Sequence, residues 1–417
     1  MRDRLAVLTI VWHKREYRAV LLIMVFLSLA TSATLPLVTL YLVGSFHVAL
    51  SLVGLYFVGE ALLGLILGVV VGRWSDHWPS RVPAMRLAAT WVAIGWLVFA
   101  LSPFAWLSLA VGLVFVSAGA ITMGQAFAAL HDVMVRDAER RPGVVNATIR
   151  TAFSLGFVLG PLLGSALAAL VSFRAAFVVA GCLNLLCLVP LSGVDVPVST
   201  GTEREPARQG HAQNNVLLYV FVGVCTLVLI GTVLRITYLP IDVTAHLGGS
   251  IRQYGTVMAT SALAELVTLP AAGLLAMRFR IGRLFSLGLA VATIEYLILS
   301  VNTALWQVYV TQALDALVVA AVFGLGLTYA QHLSPGRAGL VSSTFGSAFG
   351  LATLVGNAIG GVGIPLLGVP HLFFIPLVTS CMALATFIGL DRSATRRVES
   401  MGQAPPSRST PSGRTAT

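Results

Sequence analysis

The 417-residue chain is 57% hydrophobic and only 10% charged, and its mean hydropathy is +0.90. A soluble globular protein is excluded, because such a chain could not cover its apolar surface, and an integral membrane protein is predicted instead. The formal net charge of +10 does not indicate a nucleic-acid partner, since the basic residues stand between apolar runs and report membrane topology.

Apolar runs long enough to cross a bilayer as helices recur along the whole chain. The first half contains six of them, at residues 19–43, 52–71, 83–101, 104–130, 144–171 and 173–191. The second half contains six more, at residues 216–239, 255–277, 284–301, 305–330, 339–367 and 372–390. The sequence therefore predicts an all-α integral membrane protein with about twelve transmembrane helices in two six-helix bundles, 19–191 and 216–390.

Three polar segments flank these bundles. Residues 192–215 are rich in Pro, Gly, Thr, Glu and Arg, and such a composition predicts a linker that cannot fold alone. Residues 1–18 form a basic N-terminal segment, and residues 391–417 are expected to be a disordered tail. The four cysteines lie inside apolar runs without paired spacing, so neither a disulfide framework nor a metal site is expected.

Arginine and lysine residues fall on one side of the predicted membrane. They cluster before the first run, after the second and fourth runs, in the linker and at the corresponding places in the second half. The alternate loops hold only Arg174 and Arg252. The positive-inside rule therefore predicts a plasma membrane protein whose two termini and linker lie in the cytoplasm.

The two halves of the sequence resemble each other, as expected of a duplicated membrane protein. The segment 143–155 aligns without gaps onto 339–351, and Gly160 then falls opposite Gly356. The fifth and eleventh helices are therefore predicted counterparts. A basic island at 278–283 likewise corresponds to the polar island at 72–81, but it has no acid. A gating bond through Asp76 is therefore expected in one half only.

The polar island at 72–81 carries the first family resemblance. Gly72 lets two helices approach, Asp76 can accept hydrogen bonds from a neighbouring helix end, and Arg81 is expected to face the cytoplasm. Their placement resembles the signature between helices 2 and 3 of the major facilitator superfamily. The resemblance implies a membrane transporter. The internal repeat and the paired islands predict that it works by alternating access between the two bundles.

A second motif lies in the fifth run, Gly156-Phe-Val-Leu-Gly160-Pro161-Leu-Leu-Gly164. Small residues at this spacing form a flat ridge against which another helix can pack, and the proline weakens the helix where it bends. The motif resembles one that the superfamily associates with exporters using antiport. The alternative is a packing motif with no influence on the direction of transport.

Several motifs read together resemble the bacterial sugar efflux transporter family. They are Thr34-Leu-Pro36 with Tyr41, Arg73-Trp-Ser-Asp76, Gly124-Gln125-Ala-Phe127, Arg150-Thr-Ala-Phe-Ser-Leu-Gly156 and Ser334-Pro-Gly-Arg-Ala-Gly339. The resemblance spans most of the chain and implies export of sugars or glycosides across the bacterial plasma membrane by proton antiport. A multidrug or other small-metabolite exporter of the same superfamily remains the alternative.

Ionisable side chains inside the runs are costly in lipid unless they are paired or face water, so they are candidates for function. A proton-coupled carrier needs a carboxyl group whose protonation and substrate binding exclude each other. On the helix arrangement that the superfamily resemblance implies, Glu60, Glu265 and Asp315 are the proton-coupling candidates. Glu295 is expected to be structural, and Arg235 lies in the outer part of the seventh helix. The alternative for each acid is a salt bridge between helices.

Sugar recognition requires amides or other hydrogen-bonding groups and an aromatic platform. The predicted substrate-cavity residues are Tyr41, Gln125, Arg150, Gln312 and Asn357. The pair His131-Asp132 is expected to be a solvated helix end. No enzyme motif, cofactor site or nucleotide-binding loop is evident, so the predicted partners are a small-molecule substrate, protons and the lipid bilayer, and the protein is expected to be a monomer.

Overall fold

A computed structural model describes residues 12–137, 142–197, 215–334 and 338–402. Within them the chain forms twelve long helices and no sheet. The first six are α1 (Arg15–Phe46), α2 (Leu50–Ser75), α3 (Val82–Leu101), α4 (Ala105–Arg136), α5 (Pro142–Leu170) and α6 (Phe173–Leu191). The other six are α7 (Val216–His246), α8 (Ile251–Leu275), α9 (Ile281–Ser300), α10 (Leu305–Leu333), α11 (Ala338–Leu367) and α12 (Phe374–Gly402).

These helices confirm the predicted all-α membrane fold. Eleven of them are long and apolar enough to span a bilayer, and α5 is apolar over its part Leu155–Leu170. Two helices contain π-helical segments, Asp242–His246 at the end of α7 and Ala320–Leu325 within α10. The chain is therefore a multi-pass membrane protein.

The helix contacts of the first half recur in the second half. In the first half α1 packs on α5 and α6, α3 packs on α4 and α6, and α2 packs on α4. In the second half, correspondingly, α7 packs on α11 and α12, α9 packs on α10 and α12, and α8 packs on α10. Between the halves, α2 contacts α11 and α5 contacts α8. Because α2 corresponds to α8 and α5 to α11, each of these two contacts is the counterpart of the other. A pseudo-twofold relation between the halves explains this pattern.

One part of the predicted tail is helical. The sequence predicts disorder from residue 391, but α12 continues to Gly402. The continuation is anchored at its start, because Tyr329 donates a hydrogen bond to Asp391 at 3.0 Å. The first proline after the last apolar run is Pro405, so nothing in the sequence breaks the helix earlier.

The two faces of the molecule differ in how closely the halves approach. We call the face on which α1 begins and α12 ends the terminal face, and the opposite one the far face. Near the far face, a Cβ added to Gly54 of α2 would lie 2.6 Å from the Cα of Gly361 in α11, and one added to Gly255 of α8 would lie 2.8 Å from the Cβ of Ser165 in α5.

The same helices are open towards the terminal face. A Cβ added to Gly68 or Gly72 of α2, Gly273 of α8, or Gly346 or Gly350 of α11 would meet no atom within 4 Å. The halves are therefore closed against each other at the far face and separated towards the terminal face.

Candidate functional site

The second half contains a cluster of buried charges around Arg235 of α7. The Arg235 guanidinium lies 2.7 Å from Asp315 of α10 and 3.7 Å from Glu295 of α9, measured between nitrogen and carboxylate oxygen. It also donates a hydrogen bond of 2.6 Å to the amide oxygen of Gln312, one turn before Asp315 on α10. Arg235 is 4% exposed, Asp315 1% and Glu295 0%.

A serine extends the cluster to α8. The Ser261 hydroxyl lies 2.9 Å from Asp315 Oδ2 and 3.2 Å from Glu265 Oε1. Ser261 is buried, whereas Glu265, one helical turn later, is partly exposed. Four helices, α7 to α10, therefore each contribute at least one side chain to a single polar cluster.

The charges in this cluster do not balance when every group is ionised, because one guanidinium faces three carboxyl groups. Uncompensated charge in a dry interior is costly, and a proton or a second cation is the usual remedy. Three carboxylate oxygens, both of Glu295 and Oδ1 of Asp315, have no hydrogen-bond partner among the described residues. One of these oxygens can therefore take up a proton without breaking a hydrogen bond to another described residue.

The structure brings together three of the predicted site residues, Glu265, Asp315 and Gln312. Sequence reasoning missed Arg235 as the partner of Asp315 and Gln312, and it assigned Glu295 a separate structural role. Their shared signal was available in the sequence, since four consecutive runs of the second half each hold a single charged residue. Whether the Arg235 side chain points towards these acids depends on how α7 is rotated about its axis, which composition does not give.

Other predicted residues lie elsewhere. Glu60 of α2 is partly buried and forms no ion pair with any side chain that the structure describes. Asn357 of α11 accepts a hydrogen bond of 3.0 Å from Thr237 of α7. The side chain of Arg150 lies outside the described residues. Glu60 and Asn357 therefore do not join the Arg235 cluster.

Tyr41 lies in the aromatic core of the first half. Its ring is surrounded by Phe46, Phe99, Phe173 and Phe177, with ring centroids 5.2 to 5.9 Å away. The nearest of these residues belong to α1, α3 and α6. Tyr41 is therefore in a different part of the molecule from Asp315, and its role in substrate binding stays a prediction.

The predicted gating-loop residues form a second polar network at the terminal face. Arg81 donates to Asp76 at 2.7 Å and to Asp132 of α4 at 2.9 Å. Gln125 of α4 donates to the Ser75 hydroxyl at 2.7 Å, next to Asp76. This network ties α2, α3 and α4 of the first half together.

One expectation about this network was wrong, and it concerns Asp132. Arg81 lies at the terminal face but is buried, because only 7% of it is exposed and its guanidinium points at Asp132. That this face is cytoplasmic stays a prediction. Asp132 is not a solvated helix end, because only 4% of it is exposed. The physical reason is mutual: the arginine and the acid can be buried only as a pair. Gly72 lies in open space, so its Cα is not pressed against another helix.

The second half has a corresponding but different contact. Arg280, in the basic island before α9, lies 4.0 Å from Asp391 of α12, and Asp391 also accepts from Tyr329 of α10. The missing acid of the basic island is thus replaced by one from another helix. Sequence comparison of the islands could not show this, because Asp391 is more than 100 residues away.

A chain of ion pairs also fixes the start of α1 to the end of α4. Arg136 contacts both Asp137 and Glu16, and Lys14 contacts Asp137 at 3.1 Å. The hydrogen bond from Arg136, with that from Lys14, lowers the pKa of Asp137 below its ordinary value. Asp137 is therefore ionised at neutral pH.

The glycine ridge of α5 lies against α1. A Cβ added to Gly156 or Gly160 would collide with the hydroxyl of Ser28 or Ser32, and one added to Gly164 would collide with the backbone oxygen of Ala33. The Ser32 hydroxyl donates to the Gly156 carbonyl across this contact at 3.1 Å. Pro161 lies within the helix beside the ridge.

Comparisons with known proteins agree with this architecture. The profile of the Major Facilitator Superfamily matches residues 20–241 and 220–414. The chain is 25% identical over 378 residues to sugar efflux transporter B of Salmonella typhimurium, covering 89% of this chain and 94% of the relative. It is also 25% identical over 347 residues to sugar efflux transporter A of Dickeya chrysanthemi, covering 82% and 87%.

Solved structures share the fold at lower sequence identity. A bacterial homologue of the human lysosomal transporter Spinster, in an inward-facing and unoccupied conformation, superposes with a TM-score of 0.74 at 14% identity over 92% of this chain and 98% of that one. The nucleoside transporter NupG superposes with a TM-score of 0.68 at 13% identity over 92% and 99%. These likenesses show that the chain shares its fold with solved transporters.

Proposed function

This chain belongs to the Major Facilitator Superfamily and is a membrane transporter rather than an enzyme, and we propose that it exports sugars or glycosides in exchange for protons. The names of its full-length relatives support the substrate class and the direction, since both are sugar efflux transporters. The glycine and proline ridge of α5, which resembles the motif of exporters using antiport, supports the same direction.

The observation that carries the proton part of this proposal is the Arg235 cluster. Protonation of Asp315 would remove the charge that holds Arg235, and loss of that proton would restore the ion pair. The two protonation states therefore favour different arrangements of α7 and α10, which is the property that coupling requires. Glu265 is the partly exposed acid of the cluster, so it is the second proton-coupling residue of the proposal.

The same cluster offers a place for substrate hydroxyls. Gln312 accepts from Arg235 through its oxygen, while its amide nitrogen has no partner among the described residues. A sugar hydroxyl that reaches Gln312 could accept from that nitrogen and compete with the carboxylates for Arg235. Substrate binding and proton binding would then oppose each other at one site.

We further propose that the terminal face is cytoplasmic and that the membrane is the bacterial plasma membrane. The basic residues of the loops support this orientation, because they collect at the terminal face. The separation of the halves towards that face would let substrate enter from the cytoplasm. Rocking of the halves about their far-face contacts would then release it on the other side.

Uptake into inverted membrane vesicles tests this function, because inversion turns export into uptake. We would impose a proton gradient and follow labelled lactose, labelled glucose and a lipophilic cation in wild type, Asp315→Asn and Glu265→Gln. Glu60→Gln is the matched control, since it removes a membrane carboxyl outside the cluster. We expect gradient-dependent sugar accumulation that is lost in Asp315→Asn and retained in Glu60→Gln.

Other results would change the assignment. Accumulation of the cation without any sugar would identify a multidrug exporter. Sugar uptake that ignores the proton gradient would remove proton coupling and leave the Arg235 cluster a structural role. Loss of coupling in Glu60→Gln alone would move the proton site to the first half.

A further inference from the structure

We propose that the Ser261 hydroxyl passes the coupling proton between Glu265 and Asp315. The inference rests on the proposed exchange of sugar for protons and adds to it a defined path through the protein. Ser261 is a positioning and relay residue in this proposal, since it holds no charge itself. No sequence motif singles it out, and only the helix packing shows its place between two acids.

The argument begins with a count of hydrogen atoms. Ser261 Oγ lies within hydrogen-bond distance of Asp315 Oδ2, at 2.9 Å, and of Glu265 Oε1, at 3.2 Å. A hydroxyl carries one hydrogen and can direct it in a near-linear hydrogen bond to only one of two acceptors. Ionised carboxylates accept only, so both contacts can be near-linear hydrogen bonds at once only if one of the two acids is protonated and donates to Ser261.

The remaining contacts decide which acid holds that proton. Asp315 Oδ2 also lies 2.7 Å from an Arg235 nitrogen, which has no hydrogen-accepting capacity. Asp315 is therefore the ionised partner, accepting from both Arg235 and Ser261. Glu265 carries the proton, donating it to Ser261 Oγ. In this state the cluster holds one proton ready for transfer.

The transfer itself conserves atoms and charge. The O–H bond of Glu265 breaks as its proton passes to Ser261 Oγ, and the original Ser261 proton passes to Asp315 Oδ2. Glu265 becomes a carboxylate, Asp315 becomes neutral, and Ser261 is unchanged. The negative charge has moved from the buried acid on α10 to the partly exposed acid on α8. Arg235 thereby loses its ion pair with Asp315.

Arg235, the ion-pair partner of Asp315, has other ionisable groups around it. They are Glu295 and Tyr296 of α9 and Tyr254 of α8. Neither tyrosine hydroxyl donates to a carboxylate, and Glu295 has no hydrogen bond among the described residues. Within the described part of the chain, Ser261 is the side chain that connects Glu265 to Asp315.

Ser261→Thr and Ser261→Val form a matched pair, because the two side chains have the same shape and only threonine keeps the hydroxyl. We expect Ser261→Val to slow gradient-driven sugar accumulation by about a hundredfold, the usual effect of losing a positioned proton carrier. Ser261→Thr should remain close to wild type. Sugar exchange at equilibrium, which moves no net protons, should be similar in both variants.

Thr268→Val controls for the loss of a hydroxyl contact between the same two helices, since Thr268 of α8 donates to the Ala316 carbonyl of α10. It should leave accumulation and exchange unchanged. Equal accumulation by Ser261→Val and Ser261→Thr would overturn the relay. A parallel loss of accumulation and equilibrium exchange in Ser261→Val would show a packing role and would also overturn it.

Infrared difference spectroscopy of the purified protein separates the relay from the transport function. Carboxylic acid C=O bands would be followed during a pH jump and assigned with Glu265→Gln and Asp315→Asn. We expect the Asp315 band to respond about a hundredfold more slowly in Ser261→Val than in Ser261→Thr. If the Asp315 band is slowed in this way but the wild type shows no gradient-driven sugar transport, the sugar–proton exchange is refuted and the relay is kept. Identical kinetics in the two variants would refute the relay even if transport is proton-driven.

Discussion

Arg235 compensates acids from three neighbouring helices, and this has a consequence for stability. Removing one member of a buried ion pair leaves the other unpaired, which usually costs about 3 to 5 kcal/mol, whereas replacing both members by apolar residues can be nearly neutral. The two acids paired with Arg235, Asp315 and Glu295, are a stronger case, because neither has another cation within ion-pair distance among the described residues.

We therefore expect Arg235→Leu to destabilise the protein by about 3 kcal/mol or more and Arg235→Leu with Asp315→Leu to destabilise it less. Thermal unfolding in detergent of the wild type, both single variants and the double variant gives the coupling between the residues. Additive losses in the double variant would contradict a direct interaction of Arg235 with Asp315.

Asp76 and Asp132 contact the same arginine but differ in exposure. The Asp132 side chain is 4% exposed and that of Asp76 is 46% exposed. Solvent screens the exposed pair, and such pairs are worth about 1 kcal/mol or less. We expect Asp132→Asn to lower the unfolding temperature much more than Asp76→Asn, because only the former leaves Arg81 buried without its inner partner. Equal losses would show that burial does not distinguish the two acids.

Sequence reasoning at this scale found the acids but not their partners. Glu265 and Asp315 were identifiable because a carboxyl in an apolar run is rare and costly. Arg235, Ser261 and Asp132 were not, because their roles depend on which way a helix is rotated and on which helix lies opposite. Ser261 carries no charge and is indistinguishable in sequence from the serines that bond their own helix, such as Ser28 with the Val25 carbonyl.

The helices themselves show how duplication and divergence combine. Gly160 of α5 and Gly356 of α11, which the sequence alignment pairs, each pack on the first helix of their own half. An added Cβ at Gly160 would collide with Ser32, whereas one at Gly356 would stay 3.2 Å from Val233. The ridge is therefore tighter in the first half, and only there does it form a close backbone contact.

Gly164→Ala tests that contact. The new methyl would meet the Ala33 backbone, which cannot rotate away, so we expect a loss of about 1 to 3 kcal/mol in stability. Gly346→Ala on the counterpart helix is the matched control, because its methyl meets no atom and alanine favours the helix by about 1 kcal/mol. Thermal unfolding should separate the two variants by sign. A Gly164→Ala protein as stable as Gly346→Ala would refute close packing of α5 on α1.

Helix number and approximate position followed from apolar run length, because a bilayer sets a minimum length for a spanning helix. Helix ends did not, as α12 shows. Its last residues, 391–402, are polar, yet they continue the helix from an end held by Tyr329. Run length measures the part of a helix that lies in lipid and is silent about the part that lies beyond it.

At the scale of the whole molecule, the conformation is closed at the far face. Ser165 and Gly255 face each other across that contact, with 2.8 Å between the Ser165 Cβ and a Cβ placed on Gly255. A disulfide bridges Cβ atoms about 3.5 to 4.5 Å apart, so a small shift would accommodate one here.

We expect Ser165→Cys with Gly255→Cys, in a background without the four native cysteines, to cross-link on oxidation and to stop transport until a reductant is added. Transport before and after reduction, with each single cysteine variant as control, measures this. Undiminished transport by the fully cross-linked protein would mean that the halves need not separate at the far face.

The two bundles and the correspondence of α5 with α11 were inferable from hydropathy and the internal repeat, whereas the membrane orientation drawn from the arginine distribution stays a prediction. The distribution of charge between the bundles was not inferable. The buried acids of α9 and α10 pair with one arginine in the second half, while Glu60 of the first half has no such partner among the described side chains. Divergence after duplication erases such symmetry, and no rule of composition restores it.

The glycine contacts at the far face also limit how firmly the closed state can be held. Each ion pair described in this protein joins residues of the same half, so no charge locks the halves together within the described residues. The fit of small residues such as Gly54 and Gly361 contributes to holding them, and it is lost and recovered without transferring charge from water. A carrier must reverse its direction of opening once in every cycle, and a shallow energy difference between its two states lets the occupancy of one site decide which state prevails.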